Sequence, residues 1–189
     1  VTRVVVVAHH ARRQQAEALA ESLEAQLLMD EEGRGAWWNH RRALRWAADQ
    51  DERVVIMEDD ALPVSFFRER AAAVLARWPE ELVSFYLGTG RPPQYQARIQ
   101  RLLADCDDHI VLDTLIHGVC YSVPPGGLHR LLAEPTGYQV DLSIGGVWGR
   151  PVVYTVPSLV DHADGPPVER HFDRQPRTEP RRAWRLPPG

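Results

Sequence analysis

The chain has 189 residues, of which 44% are hydrophobic and 25% charged, the make-up of one globular domain with a core of its own. All 22 basic residues are Arg, which excludes the Schiff-base and P-loop chemistries that need a lysine, and the net charge of −4 argues against polyanion binding by the molecule as a whole. No apolar run is long enough to span a membrane, and the opening VTRVVVVAHH has neither the length nor the flanks of a signal peptide, so a cytoplasmic protein is expected.

The first predicted element is a buried strand over 3–8, RVVVVA, a fully apolar β-branched run of the kind found inside α/β sheets. A helix follows over 11–27, with Ala16, Leu19, Ala20, Leu23 and Leu27 at helical spacing. LLM then leads to Asp30 and a polar loop, DEEGRG. A second amphipathic helix is expected over 36–50 and a second buried strand over 53–57. The helix over 66–78 is stopped by Pro79, and a strand covers 82–88. TGRPPQYQ is read as a loop into a short helix at 97–106, followed by strands at 109–115 and 118–124. Helices at 126–134 and 140–148 precede a last strand at 152–157. From Arg170 onward the chain is rich in Arg and Pro and reads as an extended tail. The alternation predicts one α/β domain over 1–165, with antiparallel strands admixed late, and a tail over 166–189. Cys106 and Cys120 lack CxxC spacing and read as free thiols.

The chemistry concentrates in VVIMEDDALPV, residues 54–64. Glu58, Asp59 and Asp60 stand at the carboxyl end of a strand, the edge where open α/β sheets bind ligands. Three adjacent carboxylates call for a cation. Hard oxygen ligands suit Mg²⁺ or Mn²⁺, which take one or two protein carboxylates and complete their shell with water and substrate phosphates; the alternative is an ordinary acidic turn. Asp60→Ala is expected to leave stability unchanged or higher, because it relieves like-charge crowding. After the first strand stands AHHARR, not a G-x-G-x-x-G turn, which counts against a dinucleotide cofactor.

Several segments together resemble family 25 glycosyltransferases, the lipopolysaccharide and collagen galactosyltransferase group. GAWWNHRRALRWA is similar to the family's Gly-x-x-x-Ser-His segment, with Gly35, Asn39 in place of Ser, and His40, followed by Glu58-Asp59-Asp60. LIHGVCYSVPPGGLHRLL (115–132) resembles its Gly-x-x-x-Tyr-x-(Ile/Val)-Ser segment, and YQVDLSI (138–144) and VVYTVPSLVDH (152–162) resemble its closing part. The resemblance covers about 34–163 in patches. It implies a GT-A fold: a single α/β domain whose Rossmann-like nucleotide half and acceptor half share one mixed sheet flanked by helices. It also implies transfer of a sugar from a nucleotide-sugar donor, a UDP-sugar first, to a hydroxyl on a glycan or protein, with Mn²⁺ or Mg²⁺ bridging the diphosphate.

The resemblance gives each residue an expected role. Asp60 holds the metal, joined by His162 unless that is a surface histidine. Glu58 acts through ribose, water or metal, and Asp59 contacts the donor or turns to the backbone. Ala8, His9 and Arg12, in the loop after the first strand, are candidate nucleotide contacts. Asp30 contacts the nucleoside or caps a turn, and His40 faces the acids or is structural. Asp141 deprotonates the acceptor or N-caps a helix. Trp37, Trp38 and Trp46 read as core, and Trp148 as a stacking platform. In the tail, Arg170, Arg174, Arg177, Arg181, Arg182 and Arg185, with Trp184, suit either a solvated C-terminus packed loosely on the acidic body or a strand tracking a phosphate backbone. The arginine bias suits a GC-rich bacterial or phage genome, and the second tail reading makes hydroxymethylated pyrimidines in phage DNA an alternative acceptor. A non-catalytic nucleotide-sugar-binding protein and, last, a metal-dependent phosphohydrolase are the other function classes.

Overall fold

The computed structural model describes residues 2–133, 139–166, 168 and 180–188. Its strands are β1 (Arg3–His9), β2 (Gln26–Asp30), β3 (Val54–Glu58), β4 (Ala61–Pro63), β5 (Leu82–Ser84), β6 (His109–Leu112), β7 (Cys120–Ser122), β8 (Val152–Thr155) and β9 (Val160–His162). The helices are α1 (Arg13–Ser22), α2 (Ala36–Ala48), α3 (Phe67–Arg77), α4 (Pro93–Asp105), α5 (Pro125–Ala133) and α6 (Val140–Trp148). Seven strands form a mixed sheet in the order β2-β1-β3-β7-β5-β8-β6, and β4 pairs with β9 in a separate ribbon. β2, β1 and β3 are parallel. β7 runs antiparallel between β3 and β5 and joins this half to the parallel pair β5–β8, with β6 antiparallel at the edge.

Side-chain alternation along β1 shows why the sheet is covered on both faces. Val5 and Val7 enter one core, with Trp37, Ala43, Leu44 and Ala47 of α2 and residues of α4, α5 and α6. Val4 and Val6 enter the other, with Leu19 and Ala20 of α1 and Phe67, Ala71 and Leu75 of α3. A strand buried on both sides has no polar face, hence the unbroken valine run.

Four expectations need correction. The helix placed over 11–27 ends at Ser22, because Glu24 adopts a left-handed conformation (φ 49°) and the chain returns as β2. Leu27 matches helical spacing yet belongs to an edge strand. The strand over 82–88 pairs only as far as Ser84. α4 starts at Pro93, a residue suited to a first helical turn, ahead of the expected 97. Finally, 152–157 is not the last strand, since β9 follows it. Among the described residues no helix is long and apolar enough to cross a membrane, and both cysteines are free thiols.

The described end of the tail, 180–188, lies against the body as a strap beyond the carboxyl ends of β5 and β8. Gly88 and Ala183 form an antiparallel bridge. Thr89 N–H donates to Arg182 O, Trp184 N–H to Leu87 O and Ser158 N–H to Arg185 O. Trp184 packs on the core and its indole N–H donates to Gln96 Oε1 (3.1 Å), so it is not available to stack on a base. Arg185 pairs with Asp107 and donates to Leu103 O. Arg170, Arg174 and Arg177 lie outside the described residues.

Two neighbouring glycines of α6 give a matched test of packing. A Cβ on Gly145 would meet Thr114 Oγ1 at 2.1 Å and the Leu115 amide nitrogen at 2.8 Å, whereas one on Gly146 would meet nothing within 4 Å. Gly145→Ala should destabilise by about 1–3 kcal/mol, and Gly146→Ala should stabilise by up to about 1 kcal/mol through helix propensity. Urea denaturation of the two variants checks both signs.

Candidate functional site

The parallel register of β1 and β3 pairs Val7 with Glu58, so both strands end together. After β1 the chain makes a 3-10 turn, His10–Arg12, which His9 caps by accepting the Ala11 N–H at its Nδ1. This turn places Arg12 over the acids. Its Nη1 donates to Asp59 Oδ1 at 2.8 Å and to Asp60 Oδ2 at 2.6 Å, and its Nη2 donates to Pro166 O. Asp59 Oδ2 accepts the His9 amide at 2.8 Å. The cation that the three carboxylates call for is, for two of them, supplied by the chain itself. Burial pushes the Asp59 carboxyl above its ordinary range, against the His9 amide and Arg12, which pull it down.

The β4–β9 ribbon then brings in a residue distant in sequence. Ala61 pairs with His162, and Ala163 N–H donates to Asp60 O. His162 Nε2 therefore lies 3.5 Å from Asp60 Oδ2. His162 Nδ1–H donates to Ala163 O at 2.7 Å, so Nε2 carries the lone pair and accepts from Arg181 Nη1 at 2.8 Å. Asp60 is 4% exposed, and its Oδ1 is buried with no hydrogen-bond partner. An orphaned carboxylate oxygen in such a place is costly unless a ligand meets it.

Glu58 is held from the other side. Tyr121 O–H donates to His40 Nδ1 at 2.9 Å, and His40 Nε2–H points to Glu58 Oε1 at 3.3 Å. Burial alone would raise the Glu58 carboxyl, but the His40 bond, with the positive charge of Arg181 further off, brings it below the ordinary carboxylate range. The Glu58 side chain is still 27% exposed. A Cβ on Gly118 would approach Glu58 Oε1 to 3.1 Å, so the glycine leaves that carboxylate its room.

Asp141 lies in the first turn of α6, but the N-cap is Gln139, so Asp141 is not the cap. Its Oδ1 accepts the Leu142 amide. Burial, and then the charge of Glu58, push its carboxyl up to about 6, which puts Asp141 in the electrostatic reach of the acids.

Three expected contacts do not face the site. Ala8 is buried and its carbonyl accepts from Asn39 Nδ2, which also binds Leu28 O, so Asn39 ties β1 to β2. Asp30 is buried and both its oxygens accept amides of its own loop, from Arg34 (3.0 Å) and Gly35 (2.9 Å). It holds a turn. Trp148 is core, its indole N–H donating to Pro151 O.

Two residues outside the sequence-based set belong to the site. His117 Nε2–H donates to Arg91 O at 2.8 Å, its Nδ1 is buried without a partner, and burial pushes its pKa down to about 4. The Tyr86 ring packs against both His117 and His162, at 5.0 and 6.0 Å between centroids. The signal for His117 was its place beside Gly118, at the entrance to a buried strand. Arg181 was expected in the tail, and nothing in its local sequence ties it to His162.

The chain is thus an α/β protein with a mixed seven-stranded sheet between helices and a centre of acids, arginines and histidines at the carboxyl edge of its strands. No protein-family model and no curated protein matches it. Among solved structures it is similar to A197 from STIV, with a TM-score of 0.59 and 8% identity over 92% of each chain. At that identity the likeness shows the fold.

Because Arg12 bridges Asp59 and Asp60, the expectation that Asp60→Ala relieves repulsion is revised. Both Arg12→Gln and Asp60→Ala should lower stability, the first by about 3 kcal/mol, as when one partner of a buried pair is removed. Urea denaturation at neutral pH measures both; a gain in either variant contradicts the bridge.

Proposed function

We propose that this chain is a metal-dependent glycosyltransferase of the GT-A type, moving a sugar from a nucleoside-diphosphate donor to an acceptor hydroxyl on a glycan or protein. The observation that carries this reading is the apposition of Asp60, with its unpartnered buried Oδ1, to the lone-pair nitrogen of His162. Among the described residues no three His, Cys, Asp or Glu side chains are grouped to bind a metal alone. Mg²⁺ or Mn²⁺ at a nucleotide site needs no such cage, since one or two protein ligands suffice when phosphate oxygens supply others. Asp60 and His162 fit that requirement, with partly exposed Glu58 beside them. A bound divalent ion there would act as a Lewis acid toward the charge developing on the departing diphosphate.

The chain's own residues supply the rest. Arg12 fixes Asp59 and Asp60, and the Tyr121–His40 pair orients Glu58. His9 and Arg12 border the nucleotide side, as the end of β1 is the edge where α/β sheets take ligands. In the transfer, the acceptor oxygen bonds to the anomeric carbon and the bond from that carbon to the diphosphate oxygen breaks, its electron pair leaving on the diphosphate. The acceptor's proton passes to Asp141, whose raised pKa suits a general base near neutrality. The mixed sheet, with parallel β2-β1-β3 joined through antiparallel β7 to a second half, suits a nucleotide half merged with an acceptor half. Trp184 and Arg185 are engaged with the body, which takes these two residues out of a strand that tracks DNA.

The test is incubation with a panel of UDP-, GDP-, ADP- and dTDP-sugars in Mn²⁺, scored for release of the nucleoside diphosphate. EDTA should abolish release with the preferred donor, and Asp60→Asn should lower kcat at least about a hundredfold. Release that EDTA leaves untouched would sink the metal reading, and an inert panel would sink the function.

Asp141→Asn separates the base from a structural role. Transfer should fall by about two to four orders of magnitude with donor affinity kept, and the wild-type rate should rise with pH through about 6. The stability effect has a definite sign. A carboxyl raised in the folded state favours folding below its unfolded pKa, an advantage lost as pH rises through its folded pKa near 6. Asp141→Asn should therefore raise the melting temperature at pH 8 and leave it unchanged at pH 4.

A further inference from the structure

We infer that Arg181, carried to the site by the C-terminal strap, is a ligand of the donor's diphosphate. The inference rests on the reading of the site as one for a nucleoside diphosphate, and it names the residue that meets the phosphates.

The strap is fixed on both sides just after it passes the site. Thr89 and Leu87 bond to it along one side, and Ser158 along the other. Asp161 Oδ1 accepts the Ala183 amide at 2.7 Å, only two residues from Arg181. The guanidinium therefore reaches the β9 end of the site from a braced backbone, not as the loose end of a tail. Its Nη1 donates to His162 Nε2 at 2.8 Å. The guanidinium carries its positive charge whatever its partner. The charge acts on Glu58, Tyr86 and His117 as well, so it is felt throughout the space between β3, the loop before β7 and β9.

A diphosphate entering this space needs cationic partners on the protein. The chain has no lysine. Arg12 bonds to Asp59, Asp60 and Pro166 O, and its role is to hold the acids. Arg181 is the guanidinium on the opposite partner of the Asp60–His162 pair. A planar fork of N–H donors matches phosphate oxygens with charge-assisted bonds, and such bonds strengthen as charge builds on a leaving diphosphate. The same move has a second consequence. When Arg181 turns to phosphate, it vacates His162 Nε2, the lone pair that a metal would use. Without donor, Arg181 occupies that nitrogen; with donor, it stabilises the diphosphate.

The experiment compares binding of ADP, GDP, CDP, UDP and dTDP, each against its nucleoside, by calorimetry in Mg²⁺. For the best binder, Arg181→Gln should weaken diphosphate affinity at least about tenfold and leave nucleoside affinity unchanged. Arg181→Lys should recover part of the loss, and Arg182→Gln, an exposed neighbour on the strap, should behave as wild type. A purely structural Arg181 would lower diphosphate and nucleoside affinity together, which overturns the inference, as does wild-type affinity in Arg181→Gln. Should that variant fail to fold, wild-type protein answers with an arginine-selective dicarbonyl read by mass spectrometry. Arg181 should be shielded by the diphosphate and not by the nucleoside, and equal labelling in both overturns the inference. If wild type binds none of the five, the reading of the site itself fails; diphosphate binding that is indifferent to Arg181 removes this inference alone.

Discussion

One guanidinium holds the centre of this molecule together. Arg12 lies between Asp59 and Asp60, within 2.8 Å of both, and converts a repulsive pair of buried carboxylates into a bridged one. Burying three charges costs each its hydration, and only good geometry offsets that cost. The geometry comes from the backbone. β1 and β3 are adjacent and parallel, so their carboxyl ends emerge side by side. The 3-10 turn capped by His9 aims Arg12 across the gap, and the His9 amide takes the remaining Asp59 oxygen. Asp60 keeps one oxygen uncommitted, which separates the acid that can serve a ligand from the one that serves the fold.

The second constraint is closure from the far end of the chain. The β4–β9 ribbon sets His162 against Asp60, and the strap sets Arg181 against His162. Long-range closures of this kind cost chain entropy, but the cost grows only slowly with loop length. Short pieces of pairing can therefore hold them. A three-residue ribbon and one bridge at Gly88–Ala183 do so here, backed by side-chain bonds from Asp161 and Gln96.

What the sequence revealed follows from how each element is buried. β1 and β3 were legible because a strand covered on both faces is an unbroken apolar run, and α2 was legible from its period. β2 was missed because an edge strand with half-buried Leu27 and Leu28 continues the helical spacing by coincidence. β4 and β9 are too short to show a period. The path of the strap was not legible, because its composition is that of a solvated tail and the backbone bonds that hold it leave no trace in composition. At the site, Glu58-Asp59-Asp60, His40 and His162 could be proposed from position relative to strands. Asp30 could not be sorted in the same way, since a carboxylate after a strand looks alike whether it holds its own loop or meets a ligand. Trp148 illustrates the same limit for a large ring, here packed over Gly127 and sealed into the core.

The remaining acids divide by environment rather than by type. Glu58 has a histidine donor and two more cationic or dipolar neighbours, and stays ionised below the ordinary carboxylate range. Asp141 has burial and the charge of Glu58 against it, and is pushed up to about 6. Two carboxylates driven apart in this way can hold different protonation states at one pH, the condition for dividing electrostatic and proton-transfer roles between them. The division is directional. Because Glu58 is ionised, it raises Asp141; because Tyr121 and His40 hold Glu58 in place, they set the strength of that effect without touching Asp141. The buried Tyr121–His40 pair thus bears on a residue of another element in two opposed ways: it holds the charge that raises Asp141, and His40 itself pulls Asp141 down.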